Sequence, residues 1–172
     1  NGAVKPILWW MLNGLIKPDK GRIELWGRVV VLIALGSGFN PVLTGRENIY
    51  VNASVLGLSK KEIDAKFEEI VDFAELADFI DTPVQSYSSG MQVRLGFAVA
   101  SSLKPDILIV DEVLSVGDAR YRLKSSKRID ELRGHSAVIF VSHIMENITR
   151  ICNVGGFLER GELVSFGNVE AA

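Results

Sequence analysis

The feature that most constrains the fold is a short polar turn that runs directly into an apolar helix, at residues 85–97 (QSYSSGMQVRLGF). The first N–H groups of a helix lack partners within it and lie at the positive end of its dipole, so such a start can bind an anion. Ser88 and Ser89 add hydroxyl donors, and Gly90 lets a ligand approach the backbone closely. Taken alone, the stretch is more typical of an ordinary serine-capped helix in a protein core.

A second stretch favours an anion site over an ordinary capped helix, because in it a continuous apolar run ends in two acidic residues. A turn at residues 104–106 precedes Ile107–Val110, and Asp111 and Glu112 follow. A continuous apolar strand is typical of a parallel sheet covered by helices on both faces. Open α/β sheets bind ligands at the carboxyl ends of their strands, where both carboxylates fall. Two acids after a strand are by themselves more often part of a loop, so the combination of the two stretches indicates the site.

Together the two stretches resemble the ATP-binding-cassette (ABC) ATPases. Residues 87–91 (YSSGM) resemble the signature loop of that family, and residues 107–112 (ILIVDE) resemble its Walker B strand with the catalytic glutamate. The motifs are most similar to those of exporter ATPases that move polysaccharides such as O-antigen, capsule or teichoic acid. The resemblance implies that the signature loop binds ATP held by a second subunit, through Ser88, Ser89 and Gly90. It also implies that Asp111 binds Mg²⁺ and that Glu112 polarises the attacking water.

Two segments further along resemble other family motifs. His143 follows the next predicted strand and resembles the switch histidine that contacts the γ-phosphate, for which an imidazole N–H is a suitable donor. A lone histidine at a strand end is usually structural, and His135, which has no such context, is expected in a surface turn. Residues 115–118 (SVGD) resemble the D-loop, which crosses to the partner's site and would bring Asp118 to the nucleotide. The same residues are also an ordinary helix entry with Asp118 as cap.

Residues 36–48 (GSGFNPVLTGREN) resemble the coupling region of the exporter group. ABC proteins commonly place a Mg²⁺-contacting glutamine just before this loop. Leu35 stands at about that position, so no direct metal contact is expected from this region.

The first six residues match the family's Walker A loop, Gly-x-Asn-Gly-x-Gly-Lys-Ser/Thr, in part. Asn1, Gly2 and Lys5 match, which implies that they bind ATP. Val4 replaces a glycine, at an expected cost of ~1–2 kcal/mol if the backbone φ there is positive. Pro6 replaces the Ser/Thr and removes both a Mg²⁺-binding hydroxyl and an N–H that would face phosphate. We therefore expect impaired ATP binding and hydrolysis at this chain's own site.

The start of the chain also leads us to expect an N-terminal truncation. The first residue is Asn1 rather than Met, and it falls within a motif. The family's first core strand and its adenine-stacking aromatic residue would lie upstream. Trp9 and Trp10 follow the loop on a helix, so we expect them in the core or an interface rather than against adenine.

The chain is long enough for one α/β domain with a core and too short for two. The chain has 172 residues, of which 48% are hydrophobic, and it carries a formal charge of -2, which gives no electrostatic basis for binding nucleic acid. The longest apolar run, at residues 29–35, is too short to cross a bilayer, and the start does not resemble a secretory signal. Cys152 is the single cysteine, which excludes an internal disulfide and suits a reducing compartment.

Local patterns predict most of the elements. An N-terminal turn should lead into a buried helix, and a short strand should occupy residues 22–26, which Gly27 separates from the apolar run at residues 29–35. Thr44 with Glu47, and Ser59 with Glu62, form the capping-box pattern at two helix starts. The second of these helices should bury the apolar residues that recur every three or four positions, namely Ile63, Phe67, Ile70 and Ala74. A strand, a helix ending before Gly134 and a strand at residues 137–141 should follow, and then a hairpin that turns at Arg160 and Gly161.

We expect an α/β fold, a P-loop NTPase core of the ABC type with a mostly parallel sheet. We also expect a single domain over residues 1–172, with a helical subdomain at about 44–100. The resemblance implies a head-to-tail ATPase dimer that uses ATP and Mg²⁺ at the cytoplasmic face of the inner membrane to drive a permease exporting a glycan. The alternative is a catalytically silent cassette that donates its signature loop to a competent partner. An ABC ATPase of DNA repair or translation is a third possibility, but such proteins usually carry two cassettes or long coiled-coil insertions.

Overall fold

The computed structural model describes residues 4–12, 14–32, 38–110 and 119–169. Its centre is a parallel sheet of three strands, β1 (Val29–Leu32), β2 (Ile107–Val110) and β3 (Ala137–Phe140), in the order β1-β2-β3. The strands are in register, so that Leu108 of β2 lies between Val30 and Val138. The last three residues of β2 are inaccessible to solvent. The predicted parallel sheet with a buried apolar strand is therefore confirmed.

Six helices surround or follow this sheet in the described ranges. They are α1 (Val4–Leu12), α2 (Gly45–Val55), α3 (Lys60–Ala74), α4 (Ser89–Ser102), α5 (Ala119–Arg133) and α6 (Met145–Ile151). Two short 3-10 turns, Ala77–Phe79 and Val84–Ser86, connect α3 to α4. Helix α5 connects β2 to β3 and ends before Gly134, as predicted. Helix α6 was not predicted.

The starts of α2 and α3 have the two predicted capping boxes. Thr44 accepts a hydrogen bond from the N–H of Glu47, and the Glu47 carboxylate accepts one from the N–H of Thr44. Ser59 and Glu62 repeat this arrangement at α3. Each box satisfies N–H groups that the helix itself cannot. The predicted apolar face of α3 is buried, and all of its charged side chains except the half-buried Lys66 are exposed.

One hydrophobic core joins helices α2, α3 and α4 to the sheet. It contains side chains from all four, including Ile49, Ile70, Leu95, Val30 and Leu108. On its far side, Phe73, Phe97 and Tyr121 pack ring against ring at centroid distances of 5.8 to 6.5 Å. These aromatic contacts join α3, α4 and α5.

A two-stranded antiparallel hairpin, β4 (Val154–Glu159) and β5 (Glu162–Asn168), ends the described chain. Arg160 and Gly161 form its turn, with φ values of 48° and 92°. Two successive positive φ values are typical of a tight hairpin turn. The predicted turn is confirmed, and the strands are longer than expected. Apolar side chains along both strands remain exposed, among them Phe157, Leu158, Leu163, Val164 and Phe166.

Two expectations about local structure are wrong. Residues 22–26 form no strand, and Trp26 in that segment is 78% exposed. A short alternating pattern becomes a strand when it pairs with a neighbour, and this segment pairs with none of the described strands. Helix α1 forms as predicted, but none of its described side chains is buried, and Ile7 and Trp10 are 41% and 48% exposed. Trp10 is therefore not a core residue.

Candidate nucleotide site

The start of α4 presents the groups that the sequence singled out. Ser88 is the N-cap, with an extended backbone, and its Oγ accepts a hydrogen bond from the N–H of Met91 at 3.2 Å. Because a hydroxyl can accept and donate at once, its O–H remains able to donate to a ligand. Ser88 and Ser89 are exposed, Gly90 is half-buried, and the first turn of α4 carries no acidic side chain. The helix therefore starts at exposed serines, and no carboxylate of its first turn would repel an anion there.

Tyr87, just before the cap, anchors this turn to the protein. Its ring is 6% exposed, and its hydroxyl donates to the carbonyl of Phe79 at 2.7 Å. Burial raises the pKa of Tyr87, so the hydroxyl keeps its proton for this bond. Gly45 at the start of α2 makes room for it, because a Cβ there would collide with the Tyr87 hydroxyl. The position of Ser88 thus depends on contacts far away in the sequence.

The segment leading to Tyr87 is also bonded to the loop that precedes α2. The N–H of Val84 donates to the Leu43 carbonyl, and the N–H of Gln85 donates to the Pro41 carbonyl, both at 2.9 Å. Thr44 forms an isolated antiparallel bridge with Pro83. These bonds make the loop before α2 a support for the turn before α4.

An ion pair joins the same two segments. Arg46 of α2 contacts Asp81 through two hydrogen bonds of 2.6 and 3.1 Å. The Arg46 guanidinium lowers the pKa of the Asp81 carboxyl, chiefly through these hydrogen bonds. Both side chains are well exposed, so the pair contributes little stability in water.

His143 lies at the carboxyl end of the sheet. The N–H of Val141 donates to the Val110 carbonyl at 3.0 Å, which holds the chain after β3 beside the end of β2. Ser142 Oγ accepts from the N–H of Ile144 at 3.0 Å, and His143 between them is exposed. The predicted Asp111, Glu112 and Asp118 lie outside the described residues. Among the described residues, no cluster of three His, Cys, Asp or Glu side chains could hold a metal ion.

The Walker A region is described in part. Asn1, Gly2 and the side chain of Lys5 lie outside the described residues. Val4 begins α1, and among the described residues no non-glycine in this region has a positive φ. The strain expected at Val4 is therefore absent. Pro6 is the third residue of α1, in the first turn, where a missing N–H costs no intrahelical hydrogen bond.

Helix α5, which follows the D-loop residues in sequence, is bonded to the end of α3, and an ion pair connects that end to Arg94 in the middle of α4. Lys124 donates to the carbonyls of Asp72 and Phe73 at 3.2 and 3.0 Å and to the carboxylate of Glu75 at 3.1 Å. Glu75, in the left-handed conformation that ends α3, also lies 3.8 Å from Arg94 of α4. A cation at the negative end of α3 is favourable. Because Lys124 of α5 and Arg94 of α4 both contact Glu75, these ion pairs connect α5 to the helix that Ser88 caps.

The sequence reasoning missed Tyr87 and Asn48 as supports of the candidate site. Asn48 is fully buried in the first turns of α2, where it bonds the preceding loop. A usable signal was present, because asparagine favours helix caps and turns over helix interiors unless its side chain bonds the backbone. Nothing in the sequence around Gly45 indicates that a side chain there would collide with the Tyr87 hydroxyl.

Comparison with known proteins agrees with this arrangement. The protein-family model described as "ABC transporter" matches residues 1–115. An O-antigen export system ATP-binding protein, RfbB of Klebsiella pneumoniae, is 47% identical over 99% of this chain and 70% of its own length. A teichoic acids export ATP-binding protein, TagH of Enterococcus faecalis, is 41% identical over 99% of this chain, which spans 38% of that protein. A solved structure titled "Structure of ATP binding subunit of ABC transporter" superposes with a TM-score of 0.88 at 21% identity, over 99% of this chain and 76% of that one.

The parallel sheet, the serine-capped α4 and these matches together define an ATP-binding-cassette ATPase fold. The chain belongs to the ABC transporter family. The predicted fold class, the predicted family and the nucleotide as the family's cofactor are thereby confirmed. In the part of the chain that the structure describes, no helix is both long and apolar enough to cross a membrane.

Proposed function

We propose that this chain is the ATP-binding and ATP-hydrolysing subunit of an ABC exporter that moves a polysaccharide or a lipid-linked glycan across the inner membrane. The observation that carries the proposal is the exposed, serine-capped start of α4, held in place by the buried Tyr87. The likeness to export ATP-binding proteins for O-antigen and teichoic acids supports the class of cargo.

The proposed site is shared between two subunits. Ser88, Ser89 and Gly90 bind the nucleotide held by the partner, since they lie at a helix start whose two serines are exposed. Asn1, Gly2 and Lys5 bind this chain's own nucleotide, and Asp118 reaches the partner's. Such phosphoryl transfer depends chiefly on positioning and charge stabilisation.

The proposed chemistry at the subunit's own site falls to the carboxyl ends of β2 and β3. Asp111 holds Mg²⁺, Glu112 orients and polarises the attacking water, and His143 donates to the γ-phosphate. The bond between Val141 and Val110 supports this grouping, since it ties the chain leading to His143 to the strand that leads to Asp111.

The proposed assembly is a head-to-tail dimer of two ATPase subunits beneath the membrane-embedded permease, at the cytoplasmic face. We further propose that residues 1–172 form one ABC ATPase domain, with a helical subdomain at about 44–100. The core that runs without interruption from α2, α3 and α4 to β1 and β2 supports a single domain.

Titration calorimetry with Mg·ATP tests the proposal, on this chain and on a repaired variant, Val4→Gly/Pro6→Ser. We expect the repaired variant to bind at least about tenfold more tightly, since Pro6→Ser restores an oxygen ligand and a phosphate-facing N–H. Ser88→Ala in the repaired background is the matched control, and it should leave binding to a single subunit unchanged while lowering hydrolysis by the dimer. Failure of both chains to bind Mg·ATP would contradict the proposal.

The alternative of a silent cassette predicts a different result. The relatives named as export ATP-binding proteins do not favour it, but the Walker A replacements give a reason to test it. A silent cassette would bind no Mg·ATP on its own. Mixed with a competent paralogue, it would complete one active site, which Ser88→Ala would abolish.

A further inference from the structure

Asn48 in α2 is a fully buried polar residue whose amide oxygen and nitrogen are both hydrogen-bonded. Its exposure is 0%, and its Oδ1 accepts a hydrogen bond from the N–H of Asn40 at 2.8 Å. Its Nδ2 donates to the carbonyls of Asn40, Leu43 and Thr44 at 3.0, 3.1 and 2.9 Å. Three of these four bonds go to Asn40 and Leu43 in the loop before α2, and the fourth goes to the N-cap residue Thr44. A buried amide with so many loop partners holds that loop in one conformation.

The loop that Asn48 holds is the one that supports the turn before α4. The Leu43 carbonyl accepts both from Asn48 Nδ2 and from the N–H of Val84. The Pro41 carbonyl, one residue after Asn40, accepts from the N–H of Gln85. A shift of this loop would therefore remove the Leu43 and Pro41 carbonyls as acceptors for the segment that leads to the signature loop at residues 87–91.

From Val84 the path to the signature serine is short and bonded. The N–H of Tyr87 donates to the Val84 carbonyl at 2.9 Å, and Ser88, the next residue, caps α4 by accepting from Met91. The same loop has an exposed side at Val42, which is 73% accessible to solvent. The buried amide of Asn48 thus bonds a partly exposed loop, and that loop in turn bonds the segment that leads to α4.

We propose that Asn48 is a positioning residue for ATP hydrolysis, which sets the placement of Ser88 through the loop at residues 40–44 and the segment at residues 83–87. It touches no nucleotide. It acts through the backbone bonds of Val84 and Gln85, and its loss frees the cap of α4 to move. This inference rests on the proposed function for its effect on hydrolysis, whereas its structural part can be measured without ATP.

The simpler reading is that Asn48 is an ordinary satisfied core residue that contributes stability alone. The two readings differ at Met91, whose N–H is bonded to Ser88 and lies far along the path from Asn48. A purely structural residue would change the exchange of Asn40 and the global stability, but it would not change Met91 selectively under conditions where the protein is folded.

Amide hydrogen exchange by NMR tests the structural part on the 172-residue chain. Asn48→Leu has similar size but neither donates nor accepts, and Asn48→Ser is a milder variant in case the first does not fold. We expect exchange to accelerate by about tenfold or more at Asn40, Val84, Gln85 and Met91, because bonds that were buried and satisfied are lost. An unchanged Met91 amide in a folded variant would overturn the inference.

Asn52→Ala is the matched control. Asn52 lies one turn further along α2, and its Nδ2 donates to the Asn48 carbonyl within the helix at 2.9 Å rather than to the loop. It should leave the exchange of Val84, Gln85 and Met91 unchanged. If Asn52→Ala accelerated those amides as much as Asn48→Ser, the effect would belong to α2 as a whole and the inference would fail.

The functional part is tested in the Val4→Gly/Pro6→Ser background. Asn48→Ser should lower kcat by about tenfold per folded molecule, while Mg·ATP binding to the single subunit stays the same. An unchanged kcat in an active background would overturn the positioning role. If the background itself neither binds nor hydrolyses ATP, the proposed function has failed, and the exchange experiment still decides whether Asn48 controls the signature turn.

Discussion

Two helices of this protein begin where a phosphate is expected to bind, and they are built differently. Helix α4 begins with a serine cap and exposed donors, and its later residues, such as Leu95 and Phe97, are buried. Helix α1 begins with Val4 and has Pro6 in its first turn, and its Ile7 and Trp10 are half exposed. The difference separates two requirements of an anion-binding helix start, namely free donors and a packed body that holds them.

The comparison teaches that the family resemblance is uneven in physical terms. At α4 the donors are present, and Tyr87, Gly45 and the loop before α2 hold them in place. At α1 the proline removes one donor, while the described side chains add little packing. We therefore expect the signature half of the site to be robust and the Walker A half to be the weaker part.

The largest effect should come from the packing behind α4. Leu95→Ala removes a side chain with 0% exposure and should lower the free energy of unfolding by about 2–5 kcal/mol. Ile7→Ala in α1 should cost less than about 1 kcal/mol, because a side chain that is 41% exposed loses little on truncation. Urea unfolding measures both. Equal losses would contradict the proposed difference in packing.

Gly45→Ala should come next, at about 1–3 kcal/mol, because the new Cβ would collide with the Tyr87 hydroxyl and overpack the support of the signature turn. Adding Tyr87→Phe removes the colliding oxygen and should restore part of the loss. Thermal unfolding of the two single variants and the double variant forms a cycle. Strict additivity would show that the collision is not the cause.

The serine caps give a smaller and more selective effect. Ser88→Ala and Ser59→Ala each remove an N-cap and should each cost about 1 kcal/mol of stability. In the repaired Walker A background, Ser88→Ala alone should also lower ATP hydrolysis, because the Ser59 cap has no part in the proposed site. Chemical unfolding and a steady-state ATPase assay separate the two. A similar loss of hydrolysis in both variants would argue against a binding role for Ser88.

The smallest effect should be on the pH dependence of stability. Hydrogen bonds from Thr44 and Ser59 lower the pKa of Glu47 and Glu62 below their usual 4.5. A lowered folded-state pKa stabilises the protein above pH 4.5, and this contribution is lost as the pH falls through the folded-state value. Glu47→Gln/Glu62→Gln should therefore flatten the fall in stability between about pH 5 and pH 3.

The control for this titration is Glu68→Gln, on the exposed face of α3 and outside either capping box. That variant should keep the capping contribution. A fall in stability between pH 5 and pH 3 that is unchanged by removing the two capping carboxylates would show that the boxes are not its source.

Much of the fold could be predicted because its signals are local. The capping boxes, the turn at Arg160 and Gly161, and the buried face of α3 follow from spacing and residue type. The failures came where pairing or burial decided the outcome. Residues 22–26 have an alternating pattern but no described strand beside them, and the described side chains of the apolar α1 are not buried.

The candidate site divides in the same way. Ser88, Ser89, Gly90 and His143 could be identified from sequence because motif residues carry their own chemistry. The contacts of Tyr87 and Asn48 could not be predicted from the sequence. Tyr87 bonds Phe79 and Asn48 bonds Asn40, each 8 residues away, across turns whose shape the sequence does not specify. Val4 was expected to be strained on a family pattern, and its helical backbone is not.

The sequence by itself determined the family, the apolar strands and the two serines that open α4, because each depends on residue type at short spacing. The tertiary structure decided which groups hold those serines in place. Glycine is favoured at Gly45 because the Tyr87 hydroxyl lies against it, and the buried Asn48 finds its partners in the loop before α2. The physical reason is that hydrogen bonds and excluded volume act between atoms that folding brings together, and their pairing is set by the packed chain as a whole.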